Sequence, residues 1–147
     1  MPERSTVEQD DAEVDETPYF SYSATLRIFG TIPDLDEITR NLGIPPTHFH
    51  RRGDRRSELH AGYEHDMWSY RAPVDRAMPL HTHIDTLWEM IRGRTRYLLS
   101  LKSGDLTVDV FLGYRSSSDT AGVEIPYQSL EIFRELQVPF GLSIIVA

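Results

Sequence analysis

The chain contains no cysteine and a single lysine, Lys102, among its 147 residues. Without cysteine there are no disulfides, no thiolate metal sites and no cysteine nucleophile, so histidine and carboxylate are the remaining metal ligands to consider. No apolar run approaches the length needed to span a bilayer, and MPERSTVEQDDAEVDE at the start lacks the apolar core of a signal peptide. The expectation is a cytoplasmic protein that makes no use of a membrane. Nucleophile elbows, phosphate loops and strained serine turns are missing too. Ser57, Ser69 and the run from Ser116 to Ser118 occur without any motif that would activate them, and a pairing such as Glu58 with His60 has no geometry in the sequence alone. Catalysis therefore has no support at this level.

What is present divides unevenly. Residues 1–16 hold seven acids against Arg4, leaving sixteen acids against fourteen basic residues in 17–147, so most of the net charge of -8 sits in the opening segment. Residues 1–17 read as a disordered acidic tail, too polar to offset its ordering entropy by burial. It serves as a solubilising extension or as a mask for an arginine patch. The near-neutral remainder, 18–147, has the size of one domain with its own core, and it lacks the basic footprint expected of a nucleic-acid binder.

Along the chain, Tyr22, Ala24, Leu26 and Ile28 alternate with polar residues as in a half-buried strand. Asp34 followed by Glu37 starts a helix with Leu35, Ile38 and Leu42 on one stripe, and Gly43 with Pro45 and Pro46 stops it. Thr47–Arg52 and Met67–Ala72 read as strands. Thr82 with Asp85 caps a longer helix bearing Ile84, Leu87, Trp88 and Ile91, which pauses at Gly93 and continues to Gly104. Leu106, Val108, Val110 and Leu112 mark the clearest strand. A short GVEIP strand, the helix YQSLEIFRELQ and a central or well-covered terminal strand FGLSIIVA complete the order. Ile38, Arg40, Leu42, Ile44 and Pro45 recur as Ile132, Arg134, Leu136, Val138 and Pro139 at constant offset, which either reflects duplication or the shared pattern of two short amphipathic helices. Together these elements predict an α+β fold: a single compact domain with an antiparallel or mixed sheet, about three helices packed on it, and ferredoxin-like character.

The strand YSATLRIFG, the helix DLDEITRNLGI with its two prolines, the R-x-G-D stretch at Arg51–Asp54, the M-W-S segment and the helix LHTHIDTLWEMI together resemble the bacterial domain-of-unknown-function 4279 family. The resemblance covers roughly Tyr22 to Val146. It implies a compact α+β domain and brings no activity, substrate or catalytic residue with it. The acidic segment lies outside it, and the resemblance assigns no role to the string of histidines.

All six histidines fall between Thr47 and Ile91. His48 with His50 and His81 with His83 repeat an H-x-H spacing. If the pairs converge, with Asp54, Glu64, His65, Asp66 or Asp85 nearby, they form a site for zinc or a similar divalent ion; otherwise they are ordinary surface histidines. Arg51, Arg52, Arg55 and Arg56 surround a Gly-Asp turn and suit bidentate recognition of carboxylate or phosphate, although weak exposed ion pairs to Asp54, Glu58 and neighbouring acids are the favoured explanation and need no ligand. Trp88 lies in the apolar stripe of its helix and is expected in the core. Trp68, beside Ser69 and Arg71, is expected at a surface with Tyr70 and Tyr63 near the arginines. The leading functional expectation is a non-catalytic protein-interaction module of the immunity or adaptor type, binding another protein through Arg51, Arg52, Arg55, Arg56, Trp68 and Tyr70. The competing readings are a metal-binding domain built on His48, His50, His81 and His83, and a small-anion binder at the arginines. The sequence leaves the oligomeric state open.

Overall fold

Strict alternation in FSYSATLRIFG gives β1 (Phe20–Gly30), whose even-numbered residues Ala24, Leu26 and Ile28 are buried while their odd-numbered neighbours are only half-buried. The computed structural model describes residues 19–147; the acidic tail expected over 1–17 lies outside them. β1 is the hub of a five-stranded sheet of order β2-β3-β1-β4-β5, with β2 (His48–His50), β3 (Asp66–Arg71), β4 (Thr107–Ser116) and β5 (Leu142–Val146). β1 pairs antiparallel with both β3 and β4, β2 pairs antiparallel with β3, and β5 lies parallel to β4. β1 and β2 thus run parallel with β3 inserted between them. That is the split βαβ arrangement of ferredoxin-like folds, extended by one parallel edge strand.

Three helical units supply the cover. α1 (Leu35–Leu42) is started by Asp34, whose side chain accepts from the Asp36 N–H at 3.0 Å, and is ended by Gly43 at φ 74. α2 (Leu80–Ile91) passes through a 3-10 turn at Arg92–Arg94 into α3 (Thr95–Lys102), so the pause expected at Gly93 is present. The expected cap at Thr82 is not. The helix starts at Leu80 behind Pro79, whose ring already holds φ near the helical value at -55, and Thr82 donates its N–H to the Pro79 carbonyl at 3.0 Å. A second 3-10 turn, Tyr127–Leu130, leads into α4 (Glu131–Leu136).

The helices contribute Ile38, Leu42, Ile84, Leu87, Ile91, Leu98, Ile132 and Leu136 to one core with the even-numbered faces of β1, β3 and β4. Helices therefore cover one side of the sheet, and the other side is open. Among the described residues no helix is long and apolar enough to cross a membrane.

Several sequence expectations need correction. GVEIP forms no strand: Val123 and Ile125 pack against the core without joining the sheet, ahead of Pro126. The terminal strand is not central. β5 occupies an edge and leaves Ile144, Ile145 and Val146 at least half exposed, because β-branched residues favour pleated backbone without saying what covers it. Trp68 is completely buried and Tyr70 nearly so, since both sit on the even-numbered, helix-covered side of β3; Trp68 donates its indole N–H to Thr39 Oγ1 of α1 at 3.0 Å. Trp88 is the tryptophan that reaches the surface, half-buried, with Arg92 over its ring at 6.0 Å.

The internal echo extends to the backbone. α1 ends at Gly43 and α4 at Gln137, the equivalent position, and both are left-handed, with φ 74 and φ 56. The two copies lead into β2 and β5, the two edges of the sheet. Lys102, the single lysine, donates to the carbonyls of Leu136 and Gln137 and so closes the end of α4.

Candidate functional site

Between β2 and β3 the chain makes an excursion in which every residue from Arg51 to Ala61 is exposed, Leu59 at 95%. Its base is nonetheless built. The Asp66 carboxylate, nearly buried at the start of β3, accepts from the N–H of Arg52 and of Ile32 at 2.8 Å each, and these bonds hold its pKa below the usual carboxylate range despite burial. Arg51 donates to the Ile32 carbonyl at 2.6 Å and lies 3.6 Å from Asp66. Its N–H in turn goes to Asp54 Oδ2 at 2.8 Å. Gly53 and Tyr63 bond across the loop at 2.9 Å, as do Tyr63 and Asp54. Gly62 has no room for a side chain there, since a Cβ would stand 2.8 Å from the Gly53 carbonyl oxygen.

At the loop's outer end Ser57 Oγ lies 2.6 Å from His60 Nδ1, and Arg56 lies 2.7 Å from His60 Nε2. A guanidinium can only donate, so Nε2 accepts and the proton of a neutral ring sits on Nδ1, pointing at Ser57. His60 in this arrangement cannot take the serine's proton. The trio fastens a turn and leaves Arg52, Arg55, Leu59 and the face of Arg56 presented to solvent; Phe49 on the edge strand β2, next to Arg51 and the start of α1, is itself 59% exposed.

The arginines expected to act together thus divide: Arg51 is an anchor, while Arg52, Arg55 and Arg56 are displayed. Trp68 and Tyr70 cannot share their surface, being buried beneath α1 and α2. The two histidine pairs are also separated. His48 and His50 pair with Ser69 and Met67 and so lie on the open side of the sheet, their rings 3.0 Å apart at Nε2 and Nδ1, with Tyr63 stacked on His50 at 3.5 Å. His83 lies in α2 on the covered side, 1% exposed, with Nε2 3.1 Å from the Met78 carbonyl. Burial lowers the pKa of both His50 and His83; the neighbouring His48 adds to the effect at His50. His81 is half-buried in the first turn of α2. Among the described residues no three histidine, aspartate or glutamate side chains gather at metal-ligating distance.

The open side of the sheet carries a second feature that no sequence motif announced. Opposite Ser23 on β1 stands Gly113 on β4, and beside Gly113 stands Ser143 on β5, a row of small residues crossing three strands. The floor is tight: a Cβ on Gly113 would meet Ser23 Oγ at 2.7 Å. Arg71, Arg76 and Arg115 border it at an open hollow of about 200 Å³. The available signal was glycine and serine at interior strand positions, where bulkier residues favour pleated backbone.

A family model described as "Domain of unknown function (DUF4279)" matches residues 20–147, from the first residue of β1 onward. The chain belongs to this family. No curated protein and no solved structure matches it at a significant level. For this DUF4279 domain the matched region includes both the arginine loop and the open-face hollow, and it leaves out the acidic opening segment.

Proposed function

We propose that this DUF4279 domain is a non-catalytic protein-interaction module, of the adaptor or immunity type, that docks an acidic surface of its partner on the Arg51–His60 loop and the adjoining Phe49. The observation that carries this reading is a loop bonded firmly at its base and fully displayed along its length. A preformed loop loses little conformational entropy on docking, and Arg with an exposed aromatic or aliphatic side chain is the composition enriched at interface centres. Like charges at Arg52, Arg55 and Arg56 favour a partner of opposite sign and speed its approach.

The test compares affinity purification of the full chain from its native cell with that of an Arg52→Glu/Arg55→Glu/Arg56→Glu variant. Arg51 is left in place because its loss would loosen the loop itself. A partner recovered in fixed stoichiometry by the natural protein and lost from the variant, at unchanged melting temperature, supports the reading. Equal recovery by both proteins removes it.

A further inference from the structure

We propose that the hollow on the open side of the sheet is a binding site for a small organic oxyanion that carries a flat apolar group. Its walls and floor divide the work. Arg71, Arg76 and Arg115 all border it, and no aspartate or glutamate does, so three arginines and no carboxylate line a space of about 200 Å³. Among the described residues none of the three takes part in an ion pair, in contrast to Arg27, Arg40, Arg51, Arg92 and Arg134. Unpaired arginines gathered at one hollow repel one another, and an anion bound there relieves that repulsion while accepting their paired N–H groups.

The floor adds neutral donors. Ser21, Ser23 and Ser143 all border the hollow, and Gly113 keeps the floor low enough for a ligand to approach their hydroxyls. Two apolar walls stand across this polar floor. Phe111 lies next to Gly113, its Cε1 3.7 Å from where a glycine Cβ would be, and Ile145 closes the β5 side. Arg27 covers part of Phe111 at 4.8 Å and is held there by Asp109, so the ring is fixed rather than free to collapse into the hollow. An apolar wall beside these donors fits an aryl or heteroaromatic group bearing phosphate or carboxylate, and an inorganic ion would leave the walls unused.

The site is separate from the loop proposed to meet a partner protein, and the two fail separately. The probe is phenyl phosphate, with inorganic phosphate for comparison, titrated calorimetrically into the full chain at about 0.15 M salt, where long-range attraction between exposed charges is largely screened. The expected result is saturable one-to-one binding, tighter for phenyl phosphate, that weakens at least about tenfold in Arg71→Gln and again in Arg115→Gln, the loss of one charged hydrogen bond each. The Arg52→Glu/Arg55→Glu/Arg56→Glu variant is expected to bind the probe as the natural chain does. No saturable binding, equal affinity for the two probes, or binding indifferent to Arg71→Gln and Arg115→Gln overturns the proposal.

One further variant identifies the source of the anion. Seven acids of residues 3–16 precede Ser21 closely in the sequence, so the same titration is run on a full chain with those seven acids replaced by their amides. Unchanged affinity supports a free ligand. Binding that appears only in that variant shows the hollow already occupied by the chain's own carboxylates and overturns the free-ligand assignment.

Discussion

On the covered side of the sheet, β1 presents Ala24, Leu26 and Ile28 and β4 presents Val108, Val110 and Leu112, all buried; on the open side the same strands present Ser21, Ser23, Thr25 and Arg27 opposite Arg115, Gly113, Phe111 and Asp109, none of them fully buried. One backbone therefore satisfies two different demands. The covered side is selected by volume and exclusion of water, which fixes residue type closely and leaves little scope for ligand chemistry. The open side is free of that demand, so its small residues and arginines report something other than packing. If this division holds, substitutions of the covered side change stability and substitutions of the open side change binding.

The largest effect is expected at Trp68. Replacement by alanine empties the site between β3 and α1 and orphans Thr39 Oγ1, and it should cost about 3–5 kcal/mol. Against a total of roughly 5–15 kcal/mol for a domain, that leaves a chain close to unfolding. Urea denaturation followed by tryptophan fluorescence from Trp88 measures it; a loss no larger than that of an exposed residue would break the distinction between the faces.

Asp66 ranks next, and it joins the two regions because it ties the arginine loop to the end of β1. Asparagine keeps the shape but can offer only one oxygen where two N–H groups now donate, so Asp66→Asn should cost about 2–3 kcal/mol. The pH dependence follows from the same bonds. The folded-state pKa is depressed, so the carboxylate's contribution is present above its unfolded value and is lost as pH falls through its folded value. Acid unfolding should begin at higher pH in the variant, and an unchanged acid transition would show that the loop's base is held by Arg51 alone.

Much of the covered side was legible in the sequence. The alternation in β1 and β4, the stripe in α1 and its glycine stop, and the pause at Gly93 are local patterns set by backbone period, and the structure reproduces them. Trp68 is buried despite its polar neighbours because Ser69 and Arg71 point to the side of β3 that Trp68 does not, whereas Trp88 packs against the core as its helical stripe predicts, with part of its ring at the surface. β5 was misplaced because strand propensity carries no information about position in a sheet. The candidate sites differ in the same way. The arginine loop is contiguous and visible as a motif, whereas the hollow draws on residues near 23, 71, 113 and 143, brought together only by the strand order β3-β1-β4-β5.

His83 gives a smaller effect of known sign. Burial disfavours its charged form, so its folded-state pKa lies below the ordinary histidine value. Such a group supports the fold above its unfolded pKa near 6.5, and that support is lost as pH falls through the window between the two values, with a slope of at most about 1.4 kcal/mol per pH unit. His50 adds a second contribution in the same direction from the open side, where Tyr63 covers it. His83→Gln retains a donor for the Met78 carbonyl without titrating, and should flatten part of the stability profile between neutral and mildly acidic pH. A profile unchanged by His83→Gln would place the whole dependence on the open side.

The smallest expected effects lie on the open side itself and sharpen the contrast between its own arginines. Arg27 meets Asp109 through two bonds at 2.8 and 2.7 Å, half-shielded and stacked on Phe111, so the pair has the geometry in which an ion pair contributes measurably. A double-mutant cycle on Arg27→Gln and Asp109→Asn should return a coupling of up to about 1 kcal/mol, the upper end for partly exposed pairs. Arg71 and Arg115 have no such partner among the described residues and stand exposed at the rim, so their glutamine variants should stay within about 0.5 kcal/mol of the natural chain. A gain in stability on removing either one would mean that unrelieved repulsion among the three guanidinium groups is being carried by the empty fold, which is the condition under which a bound anion contributes most. A clear loss would instead make Arg71 or Arg115 a structural residue like Arg27, and would remove the hollow's separation of binding from folding.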